Sequence, residues 1–211
     1  MKLYDTKLAP NPRRVRMFMA EKGITCETEQ VDIVKGENLE EAYLSINSRG
    51  LLPALVLDDG AVLDESVAIC RYLEETHPEP PLMGSGALGK ARVEARQRHM
   101  EFDGLLAAAE AFRNAFPLFS SRGLPGSGGP VEAIPALAER GRNTLLRFYR
   151  RLDEELASAA FIAGDDFTIA DITALCTVDF GTGAARVPIP EDCENLKRWH
   201  AEVSARPSAT A

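Results

Sequence analysis

Two short segments carry residue types suited to gripping a peptide. The first is Leu51-Leu52-Pro53-Ala54-Leu55-Val56-Leu57. A proline at the mouth of an apolar strand removes a ladder donor and fixes its own φ. Xaa-Pro is also the one linkage at which a cis peptide is cheap. A cis bond at Leu52-Pro53 would turn the Leu52 backbone outward, where its N–H and C=O can pair with another peptide like an added strand. The second segment is Leu63-Asp64-Glu65-Ser66, which opens an apolar-periodic run ending at Leu73. Ser66 reads as an N-cap or first-turn residue with free amides beside it, and such a helix start binds a carboxylate. Glu65 alongside can hold an ammonium. Together the segments suit an amino-acid-like end joined to a peptide backbone.

The elements that must position them follow from pattern. Residues 2–5 read as a strand, Pro12 to about Lys22 as a helix closed by Gly23, and Glu27 to Ile33 as a second strand. Asn38 to Leu44 is a short helix. Strands 54–58 and 61–64 flank Asp58-Asp59-Gly60, a strong hairpin signal. Glu65 to about Glu75 is a helix. His77-Pro78-Glu79-Pro80-Pro81 then breaks that helix and stiffens a linker. The expected organisation is an α/β domain over 1–79, a linker over 80–88 and an all-α domain over 89–211. Gly123 to Pro130 has neither a preceding strand nor a following GK[ST], so it is no phosphate loop. It reads as a mobile connection between two long helices. The second of those lies within 131–159 and starts near Pro135. Thr168-Ile169-Ala170-Asp171 is a capping box, with Phe167 placed to staple the helix to Ile172. Asp171 is therefore read as structural, not as a catalytic acid.

Composition narrows the function classes. Apolar content is 45% and charged content 27%, those of an ordinary globular protein. The net charge is −8, with 9 basic and 15 acidic side chains in residues 1–79. That argues against nucleic acid and anionic membrane surfaces as partners, though not against a small anion held by local donors. No leader-like or membrane-spanning apolar stretch is visible. Cys26, Cys70, Cys176 and Cys193 show no metal or dithiol spacing, and His77, His99 and His200 none either. Four reduced thiols in a cytoplasmic protein are the expectation.

Leu52-Pro53-Ala54-Leu55 with Glu65-Ser66 resembles the glutathione site of cytosolic glutathione transferases. Met1 to Asp5 with Asn11-Pro12-Arg13-Arg14-Val15-Arg16 resembles their first strand and helix. Phe167 to Ile172 resembles the capping motif of their second domain, and Leu196 to His200 with Ala205-Arg206-Pro207-Ser208 their last helix. The similarity spans nearly the whole chain. It implies a thioredoxin-like N-terminal domain and a C-terminal helical bundle. It also implies glutathione as a substrate with no cofactor, an apolar electrophile as second substrate, and a homodimer. Family members usually offer Tyr, Ser or Cys between the first strand and helix to activate the thiol. Here Tyr4-Asp5-Thr6-Lys7-Leu8-Ala9-Pro10-Asn11 contains neither Ser nor Cys. The chain is most similar to an atypical microbial subgroup that lacks the usual residue.

A thiol near pKa 8.5 needs help to become the nucleophilic thiolate. The candidates are the Thr6 hydroxyl, the Asn11 amide and the start of the first helix. Asn11 reads as its N-cap and Pro12 as N1, with the Arg13 and Arg14 amides facing the site. The resemblance assigns Arg13, Lys35, Leu52, Pro53, Glu65 and Ser66 to glutathione, Lys35 to its glycine carboxylate. Phe112, Phe116 and Phe119 share one helical face, and Phe112, Arg113, Asn114 and Phe116 are the candidate wall of the second-substrate pocket. A glutathione-dependent isomerase or dehalogenase, and a non-catalytic protein of the same fold, are the rival readings.

Overall fold

A computed structural model describes all residues 1–211. Strands β1 (Lys2–Asp5), β2 (Glu27–Gln30), β3 (Ala54–Val56) and β4 (Val62–Leu63) form one sheet in the order β2-β1-β3-β4. β1 runs parallel to β2 and antiparallel to β3, with Leu3 opposite both Thr28 and Leu55. The parallel pair needs a crossover, which helix α1 (Pro10–Glu21) supplies. Alternation along β1 turns Leu3 and Asp5 inward. Leu3 packs with Val15, Met17 and Phe18 of α1 and with Ile69 and Leu73 of α3 (Ser66–Thr76). β2 is a wholly exposed edge of charged and polar residues, a composition that discourages further strand pairing. Between it and β3 lie a 3₁₀ turn at Glu37–Leu39 and the short helix α2 (Glu41–Leu44).

The second domain is helical throughout. Helix α4 (Gly86–His99) passes through a wide π-helical turn at Met100–Leu105 into α5 (Leu106–Arg113). It begins three residues before the expected boundary. α6 (Pro135–Leu156) starts with proline at N1, where its missing N–H is no loss. α5 and α6 approach closely because position 141 is glycine: a Cβ there would lie 2.6 Å from the Ala111 nitrogen. α7 (Ile169–Gly183) is buried on nearly every side, and α8 (Glu194–Ser204) and a 3₁₀ turn at Pro207–Thr210 close the chain. No helix is long and apolar enough to cross a membrane.

One core runs through both domains, from Leu3 and Phe18 to Leu175 and Trp199, so the cleft between them has rigid walls. The linker is tied down as well. The buried Glu74 carboxylate accepts the Leu82 and Met83 amides at 3.3 and 2.9 Å and pairs with Lys22 at 2.7 Å. Lys22 also donates to the carbonyls of His77 and Pro80, both at 2.7 Å.

Two ion-pair clusters fasten α1 to the C-terminal domain. Arg13 pairs with Asp179 at 2.6 Å, and His200 Nε2 lies 2.6 Å from the same carboxylate. Arg206 grips Glu21 through two nitrogens at 2.8 and 2.7 Å. Burial would raise the Asp179 carboxyl, but hydrogen bonds from His200 and Arg13 outweigh it and hold the group below its usual range. Burial acts likewise on Glu21 and is outweighed by Arg206 and Ser208. A carboxyl depressed in the folded state contributes stability that is complete above its unfolded pKa, about 4. That stability is lost as pH falls through the folded value. The urea midpoint should therefore drop steeply below about pH 4, and Arg13→Met should flatten the drop. Identical acid profiles for the two proteins would refute the assignment.

Candidate active site

A cleft of about 750 Å³ lies between the domains, a size suited to one or two small molecules. Its N-terminal side carries most of its polar side chains: Thr6, Asn11, Asn38, Asp64, Glu65 and Ser66. Leu52-Pro53 is cis, and neither the N–H nor the C=O of Leu52 has a partner in the chain. The preceding turn is pinned: Tyr43 Oη and Asn47 Nδ2 donate to the Leu51 carbonyl at 2.5 and 2.9 Å, and Asn38 Nδ2 donates to that of Gly50 at 2.8 Å. Burial pushes the Tyr43 phenol up, which keeps it a neutral donor. A free peptide edge on a rigid turn is what an extended ligand needs to pair as a strand.

Beside it, Glu65 has φ 61° and ψ 114°, a region that a residue with a Cβ occupies only under constraint. Such outliers gather at ligand sites. The bend exposes the Glu65 carboxylate, paired with Arg49 at 3.0 Å, and starts α3 at Ser66 instead of Glu65. Ser66 is buried, and its Oγ accepts a hydrogen bond from Arg14 Nη1 at 2.7 Å. A hydroxyl has one proton to give. Arg14 takes a lone pair of this oxygen, and the Ser66 proton has no acceptor within the chain, so it is available to a ligand in the cleft.

Arg14 is 1% exposed. The same nitrogen reaches Glu101 in the π-helical turn at 3.0 Å, while Nε and Nη2 have no partner. Its charge therefore sits beneath the start of α3, where it adds to the helix dipole in favouring an anion. No local sequence signal separates this arginine from its neighbours.

The start of α1 departs from expectation. Ala9 is the N-cap, Pro10 is N1 and Pro12 is N3, so Asn11 does not cap the helix. Two of the first three helical residues have no N–H. The Arg13 amide is already spent on the Ala9 carbonyl at 3.4 Å. The amide of Asn11 is what remains at this helix end, and its side chain is free of capping duty. Asn11 and Thr6 both line the cleft. Asp5, fully buried, takes Arg16 at 2.5 Å and Gln30, which fixes the strand end from which Thr6 projects.

Three expected contacts lie elsewhere. Arg13 points to Asp179 and to the Ala209 carbonyl, away from the cleft, because the helix turns its side chain toward α7. Lys35 is 74% exposed, pairs with Asp32 at 3.3 Å, and does not line the cleft. Asn114 is buried with its amide donating to the Glu110 carbonyl and its oxygen accepting from the Ile134 amide, so it fastens α5 to the start of α6.

The opposite wall is aromatic. Phe112 lies 5.2 Å from Phe116, 5.3 Å from Phe119 and 5.1 Å from Phe180, ring to ring. All four line the cleft. The helix ends at Arg113, so Phe116 and Phe119 reach this wall from the turn around Pro117 and not from one continuous helical face.

The Gly/Pro-rich segment is not a loose connection. Ser127 donates its amide to the Arg49 carbonyl at 2.9 Å and its hydroxyl to that of Ser48 at 2.7 Å. Gly126, at φ +94°, passes so close that a Cβ would lie 2.7 Å from the Arg49 carbonyl oxygen. Residues 121–130 thus strap the C-terminal domain onto the N-terminal one, and Leu124 and Pro125 line the cleft.

Comparison with known proteins agrees with this geometry. Residues 9–76 match the glutathione S-transferase N-terminal domain, and residues 110–207 the glutathione S-transferase C-terminal domain. Glutathione S-transferase 2 of Saccharomyces cerevisiae is 31% identical over 99% of this chain and 87% of its own length. A maleylacetoacetate isomerase of Pseudomonas aeruginosa is 40% identical over a shorter stretch, 44% of each chain. Among solved structures, Gtt2 from Saccharomyces cerevisiae superposes with a TM-score of 0.90 at 30% identity, covering 100% of this chain and 99% of that one. A Gtt2-class glutathione S-transferase of Vibrio parahaemolyticus gives 0.83 at 35% identity, covering 99% and 94%. With the two-domain fold, the free Leu52 edge and the Glu65-Ser66 bend in one cleft, and full-length relatives of the same architecture, this chain belongs to the glutathione S-transferase family.

Proposed function

We propose that this protein is a glutathione transferase that joins the glutathione thiolate to an apolar electrophile. The observation that carries the reading is the two-faced cleft, with a peptide seat on one side and an aromatic wall on the other. In this reading the γ-glutamyl carboxylate takes the Ser66 hydroxyl and the first amides of α3, above the charge of Arg14. Glu65 takes the ammonium. Its exposed pair with Arg49 is worth about 0–1 kcal/mol and exchanges readily. The cysteinyl backbone pairs with Leu52. The sulfur then lies toward the start of α1, near Asn11 and Thr6. The thiol proton leaves to solvent, the thiolate forms a C–S bond, and the leaving group departs with its electron pair, or a conjugated double bond takes up the charge. Phe112, Phe116 and Phe180 hold the electrophile by apolar contact. A cytoplasmic homodimer belongs to the same reading and rests on the family.

Thiol activation is shared between the Asn11 backbone amide, which no substitution deletes, and the side chains of Asn11 and Thr6. Asn11→Ala and Thr6→Ala are each expected to slow turnover by about tenfold or less, near 1.4 kcal/mol. Asn11 is not the cap, so its variant should melt like the parent protein. The bound thiol should titrate below about 8.5. A thousandfold loss in folded Thr6→Ala with glutathione still bound would make that hydroxyl the sole activator. An unshifted thiol would favour the non-catalytic rival.

The isomerase relative supports a second reading, in which the thiolate adds to a double bond and is released again. Stoichiometry separates the two. A transferase consumes one glutathione per turnover, whereas an isomerase consumes none.

A further inference from the structure

Arg113 and Arg122 are the only basic residues lining the cleft. Arg113 is the last residue of α5, and Arg122 lies in the strap. Arg113 Nη1 donates to the Arg122 carbonyl at 3.0 Å, and Arg122 Nη2 donates to the Ile33 carbonyl at 2.9 Å. Both guanidinium groups lie against the Phe119 ring, 5.0 and 5.1 Å from its centre. Arg13, Arg14 and Arg16 each have a carboxylate partner, but these two have none. Burial, and secondly the neighbouring Arg122, push the Arg113 guanidinium below its usual value. Each guanidinium carries five donors, and each spends one here on a carbonyl.

Two like charges held against one aromatic ring destabilise each other unless an anion offsets them. The acidic residues of the cleft, Asp64 and Glu65, belong to the Ser66 side, and Glu65 is already paired with Arg49. The chain as a whole is acidic, so attraction for an anion must come from this local pair. Guanidinium groups recognise planar carboxylates in particular, through paired N–H donors.

We propose that Arg113 and Arg122 form a carboxylate seat in the second-substrate pocket, and that the preferred electrophile is an apolar skeleton bearing a carboxylate. This rests on the glutathione transferase reading. During substitution the carboxylate stays intact: the thiolate forms the C–S bond, a halide leaves with the bonding pair, and the thiol proton passes to water. A second source of the same anion is the glycine carboxylate of glutathione, because Arg122 holds the carbonyl of Ile33 in the loop that carries Lys35.

The test compares a chlorodinitrobenzoate with its methyl ester at saturating glutathione, each rate divided by that of free glutathione in solution. Wild type should favour the acid over the ester in kcat/KM. That ratio should fall at least about tenfold in Arg122→Gln and in Arg113→Gln, and less in Arg122→Lys, which keeps the charge but not the fork. A ratio unchanged in both glutamine variants overturns the proposal. So does an Arg122→Gln protein that loses glutathione affinity by calorimetry while its ratio holds, since the guanidinium then serves the glycine carboxylate. A measurement on wild type alone covers variants that fail to fold. A dinitrobenzoate without the chlorine should inhibit more strongly than the matching benzamide, and equal inhibition overturns the seat. Absence of glutathione binding and of turnover with both substrates removes the transferase reading itself, and the seat with it. Turnover of both with no preference removes only the seat.

Discussion

Replacing Asp171 with alanine is expected to lower stability by at least about 3 kcal/mol, a large part of the 5–15 that holds a domain folded. Asp171 is fully buried, and its two oxygens gather four donors. Oδ1 accepts from the Ile162 amide at 2.9 Å and Trp199 Nε1 at 3.0 Å. Oδ2 accepts from the Thr168 amide at 3.0 Å and the Thr168 hydroxyl at 3.2 Å. Burial pushes the carboxyl up to about 6 against these donors, which leaves it ionised at neutral pH. Alanine strands three of the donors in the core, at about 1–3 kcal/mol each, while the hydroxyl can turn to another acceptor. It also loosens the start of α7, the helix against which α1 packs. The melting temperature should fall by about 6 °C or more. Asp171→Asn should lose less, since it keeps one acceptor oxygen but sets an amide against donors on the other side. A urea-unfolding free energy within about 1 kcal/mol of the parent's would show that the network is dispensable.

The second large effect concerns ligand affinity. Ser66→Ala should weaken glutathione binding by about 1.5–3 kcal/mol, roughly ten- to a hundredfold, through loss of a charge-assisted hydrogen bond. Because Arg14 already holds this oxygen, the Ser66 side chain is fixed in place before the ligand arrives and pays little rotamer entropy on binding. The loss should appear in the KM for glutathione more than in kcat, since the contact is made equally in ground and transition states. The variant should also melt earlier, because Arg14 has two unpartnered buried nitrogens already and would keep only Glu101. Unchanged glutathione affinity in a folded Ser66→Ala protein would remove Ser66 from the site.

The reading of the chain succeeded where a few neighbouring residues settle the matter. Thr168 and Asp171 stand three apart, and that spacing alone closes a capping box. Asp58-Asp59-Gly60 dictates the hairpin between β3 and β4. Leu52-Pro53 announces its cis turn, and the proline-rich run after His77 ends α3. The order of elements follows from such signals added along the chain, whereas the thioredoxin-like character of the first domain was implied by the family resemblance.

The direction of side chains did not follow. Arg13, Arg14 and Arg16 lie within four residues of one another and carry the same group. They end at Asp179, at Ser66 with Glu101, and at Asp5. Successive residues of a helix point about 100° apart, so each partner depends on which element packs against that face. The same holds for the strap. Nothing within Gly123–Pro130 names a partner, and its anchors, the carbonyls of Ser48 and Arg49, lie far back in the first domain. Local backbone signals act over about one helical turn and were therefore determined by the sequence alone. The pocket, which brings residues from 6 to 184 around one space, was decided only when a shared core fixed the two domains against each other.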